Sequence, residues 1–193
     1  WPLDGYQLWF ITERMLLDPG WGAVRAGHGV IVLKKGADRS LNDAALRTLR
    51  DFDLEPEEWE YSQYPNLAVG RDDASGGYAL TVTPDDRRGP GLLFWGPFAV
   101  LPPGEYSVEY RLAAEIEPGR TVDDLVASID VFRDEEILAA RDLAFRDFPQ
   151  PGVWLPVELR FHTTEPGPYE FRVYYHDTGT LALDVVRIRR VGD

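Results

Sequence analysis

Three acidic residues stand out because their positions could bring oxygen ligands together. Glu58 and Glu60 flank one tryptophan, and alternate side chains of an extended chain point to the same side. Asp184 lies inside the last apolar stretch, where a carboxylate needs a partner. If the first and last strands of a sheet are neighbours, the three acids could converge on Ca²⁺, which takes about six to eight oxygen ligands. The alternative is that Asp184 caps a turn and both glutamates face water.

The chain offers little machinery for catalysis. It has no cysteine, no Gly-x-Ser-x-Gly elbow, no zinc motif and no phosphate-binding glycine loop. Its histidines are distant in sequence from any serine, and His28 and His162 are better explained as structural side chains. A glycosidase pair cannot be recognised here, because the separation of its carboxyl groups is a tertiary property. We expect no catalytic residue, and an enzyme acting through paired carboxylates remains an open alternative.

The charge balance excludes one class of partner. The 193 residues include 20 basic and 33 acidic side chains, a formal net charge of -13, which repels a phosphate backbone. We therefore expect no nucleic-acid binding. With 44% hydrophobic residues the chain can bury a core of its own.

The sequence divides into two parts of different charge. Residues 1–50 hold seven basic and five acidic side chains, so the other 13 basic and 28 acidic ones give -15. In the first part, a helical pattern stops at Asp18-Pro19-Gly20, a hairpin turns at residues 27–29, and Ser40 opens a second helix whose apolar face extends to Phe52. We predict a small α/β segment over residues 1–54 and a separate domain over residues 55–193.

The second part shows a period of two. Apolar residues alternate with polar ones over residues 106–112 and 169–175, and similar runs lie near 77–83, 92–100, 124–133, 136–145, 153–163 and 180–190. Proline and glycine clusters separate the runs. Eight to ten short strands at this spacing predict a mainly β, antiparallel jelly-roll sandwich.

Several short motifs resemble, in their order, the β-jelly-roll carbohydrate-binding modules of the galactose-binding-like group. The resemblance covers residues 57–191 and rests on Glu58-x-Glu60, Gly70-Arg71-Asp72, residues 74–77, Gly96-Pro97-Phe98, residues 101–106 and Leu183-Asp184-x-Val186. It implies carbohydrate as the partner and a structural calcium ion held by Glu58, Glu60 and Asp184.

A sugar site of this kind needs an aromatic surface for the C–H face of a pyranose and fixed polar groups for its hydroxyls. Trp95 and Trp154 stand next to turns, where their rings can reach loops, and hydrogen bonds could come from Tyr78, Arg71 and Asp177. The alternative is that both tryptophans close the ends of the core. The acidic surface favours neutral or amino sugars over uronates.

The first forty residues resemble a different group of proteins. Gly22-Ala23-Val24 and residues 28–36 resemble the end of the extracytoplasmic portion of multi-pass bacterial membrane glycosyltransferases that use lipid-phosphate sugars. We therefore expect a noncatalytic, extracytoplasmic carbohydrate-binding domain tethered to a membrane-anchored, glycosyltransferase-like protein. The alternative is a protein interaction or structural module that binds no sugar.

Overall fold

The computed structural model describes residues 12, 14–27, 30–56, 62–64, 67–84, 89–101, 103–165 and 167–192. Most of them form an antiparallel β-sandwich, and a small helix and hairpin segment precedes it. The predicted fold class is therefore confirmed. Within the described residues, no helix is both long enough and apolar enough to cross a membrane.

The N-terminal segment has the predicted order of helix, hairpin and helix. The described helical residues 14–17 end before Asp18, and the elements that follow are β1 (Trp21–Gly27), β2 (Val30–Lys35) and α1 (Asn42–Arg50). Its buried centre contains Leu16, Ala23 and Ala45. The side chain of Asn42 joins the parts, because its amide accepts from Ala23 N at 2.8 Å and donates to Leu16 O at 2.8 Å.

Eleven strands of the described chain build the sandwich. They are β3 (Phe52–Leu54), β4 (Ala68–Gly70), β5 (Tyr78–Val82), β6 (Gly91–Phe94), β7 (Pro97–Leu101), β8 (Gly104–Ile116), β9 (Leu125–Arg133), β10 (Glu136–Ala144), β11 (Leu155–Thr163), β12 (Gly167–Tyr175) and β13 (Gly179–Val191). One sheet has the order β11-β8-β13-β5-β4, with β3 also paired to β13. The other has the order β10-β9-β12-β6, with β7 also paired to β12. We call them the β8 sheet and the β12 sheet.

Strand β3 joins the two parts of the chain. It pairs with β13 through the register Leu54 to Val186 and Phe52 to Ile188. The sandwich therefore includes residues 52–54, which lie before the predicted boundary at 54/55. The expectation that Phe52 extends the apolar face of the helix is wrong, because Phe52 belongs to β3. As expected for a jelly roll, an early strand and the last strand of the sandwich are neighbours.

The core lies between the inward faces of the two sheets and is rich in aromatic rings. Phe161 stacks on Tyr106 with ring centres 5.6 Å apart and also contacts Tyr169 and Phe171, at 5.9 and 6.3 Å. Fully burying a large apolar side chain contributes about 1.5–3 kcal/mol. Because these four rings come from β8, β11 and β12, the cluster holds the two sheets together.

Candidate binding groove

A β-bulge in β13 determines where Asp184 lies. The register with β8 advances from Leu183 opposite Leu112 to Val186 opposite Tyr110, so β13 contains one extra residue there. All four of these side chains are in the core. Arg111, between the two core residues of β8, therefore points to the outer face of the β8 sheet, where it meets Asp184.

Asp184 is fully buried, and both of its carboxylate oxygens have partners. Oδ1 accepts from Ser75 N at 2.7 Å and from Ser75 Oγ at 3.0 Å, and Oδ2 forms an ion pair with Arg111. This geometry does not fit a calcium ligand, because a guanidinium already supplies the positive charge and would repel a cation. Glu58 and Glu60 lie outside the described residues, and the described remainder contains no group of three metal-binding side chains. Calcium binding thus stays a prediction.

Two of the predicted ligand residues, Arg71 and Trp154, contact each other. The Arg71 Cζ atom lies 4.1 Å from the ring centre of Trp154, and the Cζ atom of Arg111 lies 5.1 Å from it. Arg71 also donates two hydrogen bonds of 3.0 Å to the carboxylate of Asp73 and one of 3.0 Å to Gly152 O. The hydrogen bonds from Arg71 are the main cause of the lowered pKa of Asp73. The indole of Trp154 therefore serves as a support for two arginines.

Beside this cluster, a groove of about 240 Å³ opens on the outer face of the β8 sheet. Its floor includes Ala113 and Ala182, which are opposite each other on β8 and β13. Arg71, Val69 and Gly152 are also among its lining residues. The floor is apolar because alternation along β8 and β13 puts alanine, rather than a charged residue, at both positions.

The polar side chains at the groove are those of Thr81, Glu115 and Thr180, besides Arg71. Oγ1 of Thr81 is buried and has no hydrogen-bond partner. Glu115 is exposed, and neither it nor Thr180 forms a side-chain hydrogen bond or ion pair within the part of the chain that the structure describes. Glu115 and Thr180 thus offer hydrogen-bonding groups that the described part of the protein does not use, whereas the Thr81 hydroxyl is shielded from the groove.

The other predicted ligand residues do not line this groove. Tyr78 is exposed at the start of β5, opposite Gly70 and close to Arg71 in the sheet. Trp95 lies between β6 and β7, on the β12 sheet. Asp177 lies in the turn between β12 and β13, where its carbonyl accepts a 3.2 Å hydrogen bond from Arg120. The sequence-based site is therefore divided among three places.

The outer face of the β12 sheet contains a serine next to a histidine. Ser128 Oγ lies 2.8 Å from His176 Nε2 and donates to Asp142 Oδ1 at 2.5 Å. In a serine hydrolase the acid orients the histidine, whereas here it accepts the proton of the serine. Burial lowers the pKa of His176, and the nearby Asp142 opposes that shift. This is a chain of structural hydrogen bonds rather than a catalytic triad.

The same face also contains an ion pair. Both oxygens of Asp130 accept hydrogen bonds from Arg172, at 2.7 and 2.9 Å, and the guanidinium lies 3.7 Å from the ring centre of Phe132. Burial is the first cause of a raised pKa at the neighbouring Glu170. The charged groups of this pair thus contact one another and an aromatic ring.

Sequence reasoning missed Thr81, Glu115 and Thr180. Glu115 could have been found from the sequence, because alternation along β8 puts Ala113 and Glu115 on the same outer face as Arg111. What the sequence does not give is the register of β8 against β13, which makes Thr180 the neighbour of Glu115.

No protein-family model matches the chain, and no curated protein matches it. Among solved structures, it is similar to the C-terminal family 6 carbohydrate-binding module of LamC, a marine laminarinase from Zobellia galactanivorans, with 21% identity, coverage of 72% of this chain and 99% of that one, and a TM-score of 0.46. A family 35 carbohydrate-binding module from an environmental isolate is 11% identical, with coverages of 74% and 93% and a TM-score of 0.48. A family 6 module of Cellvibrio mixtus lichenase 5A, solved with cellotriose, is 14% identical, with coverages of 73% and 98% and a TM-score of 0.44.

Proposed function

We propose that this chain is a noncatalytic carbohydrate-binding domain and that the groove on the β8 sheet is its sugar site. The observation that carries the proposal is the alanine floor beside the unpaired Thr180 hydroxyl and Glu115 carboxylate. A pyranose has one weakly apolar C–H face and several hydroxyls at its edge. The floor suits the first, and Thr180 and Glu115 suit the second.

The size of the groove indicates how much of a glycan it takes. Pockets for drug-sized ligands measure about 300–1,000 Å³. At about 240 Å³ this groove fits one sugar unit. We therefore infer that the groove contacts one sugar residue, whose neighbours in a longer glycan would extend into solvent.

The wall of the groove is held in place before any ligand arrives. Arg71 is fixed by Asp73, by Gly152 O and by the Trp154 ring. Rigid side chains lose little conformational entropy on binding, so a fixed wall favours affinity. In this proposal Trp154 supports the wall, whereas the sequence predicted that its ring stacks on sugar. Arg71 forms the wall, whereas the sequence predicted that it donates a hydrogen bond to sugar.

We further infer that the domain belongs to an extracytoplasmic, membrane-anchored glycosyltransferase-like protein. The support is the sequence resemblance of residues 1–40 and the charge difference between the two parts of the chain. In this arrangement the sandwich would bind or orient a glycan for chemistry performed elsewhere. Hydrophobic spans in the complete coding sequence would support the inference, and their absence would contradict it.

The experiment is a titration of the protein with monosaccharides at millimolar concentration, followed by amide NMR shifts. We expect saturable shifts at Thr81, Ala113 and Thr180. Ala182→Leu should abolish them, because the added side chain fills the floor of the groove. The matched control is Ala140→Leu, at an exposed position on the other sheet, opposite Asp130, and it should bind as the unchanged protein does.

Two results would contradict the proposal. One is the absence of saturable shifts with every sugar tested, which would favour the alternative of a protein interaction module. The other is sugar binding that survives Ala182→Leu, which would move the site away from this groove.

A further inference from the structure

The groove contains a carboxylate whose charge the protein leaves unbalanced. Glu115 is exposed on the outer face of β8, and it forms no ion pair within the described residues. Its Oε1 lies beside the backbone of Gly152, 2.7 Å from where a Cβ atom would stand on that glycine. Gly152 has a φ of +71°, so the backbone approaches this carboxylate where another side chain would be strained and crowded.

Arg71 does not neutralise this charge. It is the one cation among the described residues that line the groove, and its guanidinium is already shared between Asp73 and the carbonyl of Gly152. The bidentate contact makes Asp73 its ionic partner. A ligand in the groove therefore meets a negative charge at Glu115 that only the ligand itself can balance.

We infer that the groove selects sugars that carry a free, protonated amine over neutral and N-acetylated ones. The inference rests on the proposed function of the groove as a sugar site. An ammonium group offers three donors and a positive charge to Glu115, with Thr180 beside it for a hydroxyl. An acetylated amine has lost the charge, and a uronate adds a second negative charge to the groove.

The size of the preference follows from the exposure of Glu115. Ion pairs in contact with solvent contribute about 0.2–1 kcal/mol, which corresponds to a preference of up to about fivefold in affinity. We therefore expect about two- to fivefold tighter binding of an amino sugar at low ionic strength. Screening by salt should reduce this preference.

The test compares glucosamine, glucose and N-acetylglucosamine by NMR titration, at a pH well below the pKa of the sugar amine. Glucosamine should bind about two- to fivefold more tightly than glucose. In Glu115→Gln the ratio of glucosamine affinity to glucose affinity should fall to about one, whatever the change in affinity for glucose itself. Glu158→Gln is the matched control, since it removes a charge from the same face outside the groove and should keep the preference.

The outcomes separate this inference from the proposed function. Equal binding of glucosamine and glucose by the unchanged protein would overturn the selectivity alone. A preference that persists in Glu115→Gln would overturn the role of this carboxylate. No binding of any of the three sugars would overturn both the selectivity and the sugar site.

Discussion

The outer faces of the two sheets carry similar residue types but use them differently. On the β12 sheet, Ser128 bridges His176 and Asp142, and Asp130 is paired with Arg172. On the β8 sheet, a buried ion pair lies beside a groove whose carboxylate and hydroxyls have no partner in the described chain.

The difference shows which polar groups are available to a ligand. A group whose hydrogen-bonding capacity the protein already fills must exchange a partner to bind a ligand, and that exchange leaves little net free energy. An accessible unpaired group exchanges only water. The presence of serine, histidine and aspartate is therefore a weaker sign of a binding site than the absence of partners.

The largest expected effect comes from breaking the buried pair. Asp184→Asn breaks an ion pair whose carboxylate is fully buried and turns an amide NH₂ group toward a donor, either Arg111 or Ser75, so it should lower the free energy of unfolding by about 3 kcal/mol. Asp130→Asn acts on a pair whose side chains are partly exposed and should cost about 1–2 kcal/mol. Chemical denaturation measures both values. An equal cost for the two variants would contradict the distinction between the faces.

A smaller, pH-dependent effect is expected on the β12 sheet. Because burial lowers the pKa of His176, the unfolded chain takes up the proton first as the pH falls. The contribution of His176 to the free energy of unfolding should be complete above the ordinary histidine pKa of 6.5. It should be lost as the pH falls through the lower pKa that His176 has in the folded protein. Denaturation curves of the protein and of His176→Gln at a series of pH values measure this difference.

The control for this titration is His162→Gln. His162 lies on the other sheet, half-exposed beside Glu105, and its replacement should leave the pH-dependent difference in place. A stability curve for His176→Gln that is parallel to that of the unchanged protein over this range would contradict the assignment.

The smallest expected effect is that of removing divalent cations. Arg111 already balances Asp184, so a chelator should leave the melting temperature unchanged. A melting temperature that falls with chelator and recovers with Ca²⁺ would instead support the calcium prediction, with Glu58 and Glu60 as the remaining ligands to test.

The sandwich could be predicted because its long strands bury one face, which imposes a period of two on the sequence. Strands β8, β9, β11 and β12 show it clearly, whereas the bulge interrupts it in β13. The three-residue strands β3 and β4 could not be found this way, since three residues are too few to show a period.

The site was predicted only in part, because its residues meet through strand pairing. Arg71 and Trp154 were predicted separately as ligand contacts, and the structure shows that they contact each other. Thr81 and Thr180 reach the groove only because β5 and β8 both pair with β13. Strand order and register of this kind depend on long-range contacts that local sequence patterns do not encode.

The short strand β3 has a mechanical consequence. Asp51 alone separates α1 from β3, a span of about 3.5 Å, and its carboxylate accepts a 2.9 Å hydrogen bond from Arg190 N. Asp53 then pairs with Arg189 on β13. Because one residue joins α1 to β3 and both of these aspartates contact β13, a partner that binds the hairpin would also orient the sandwich.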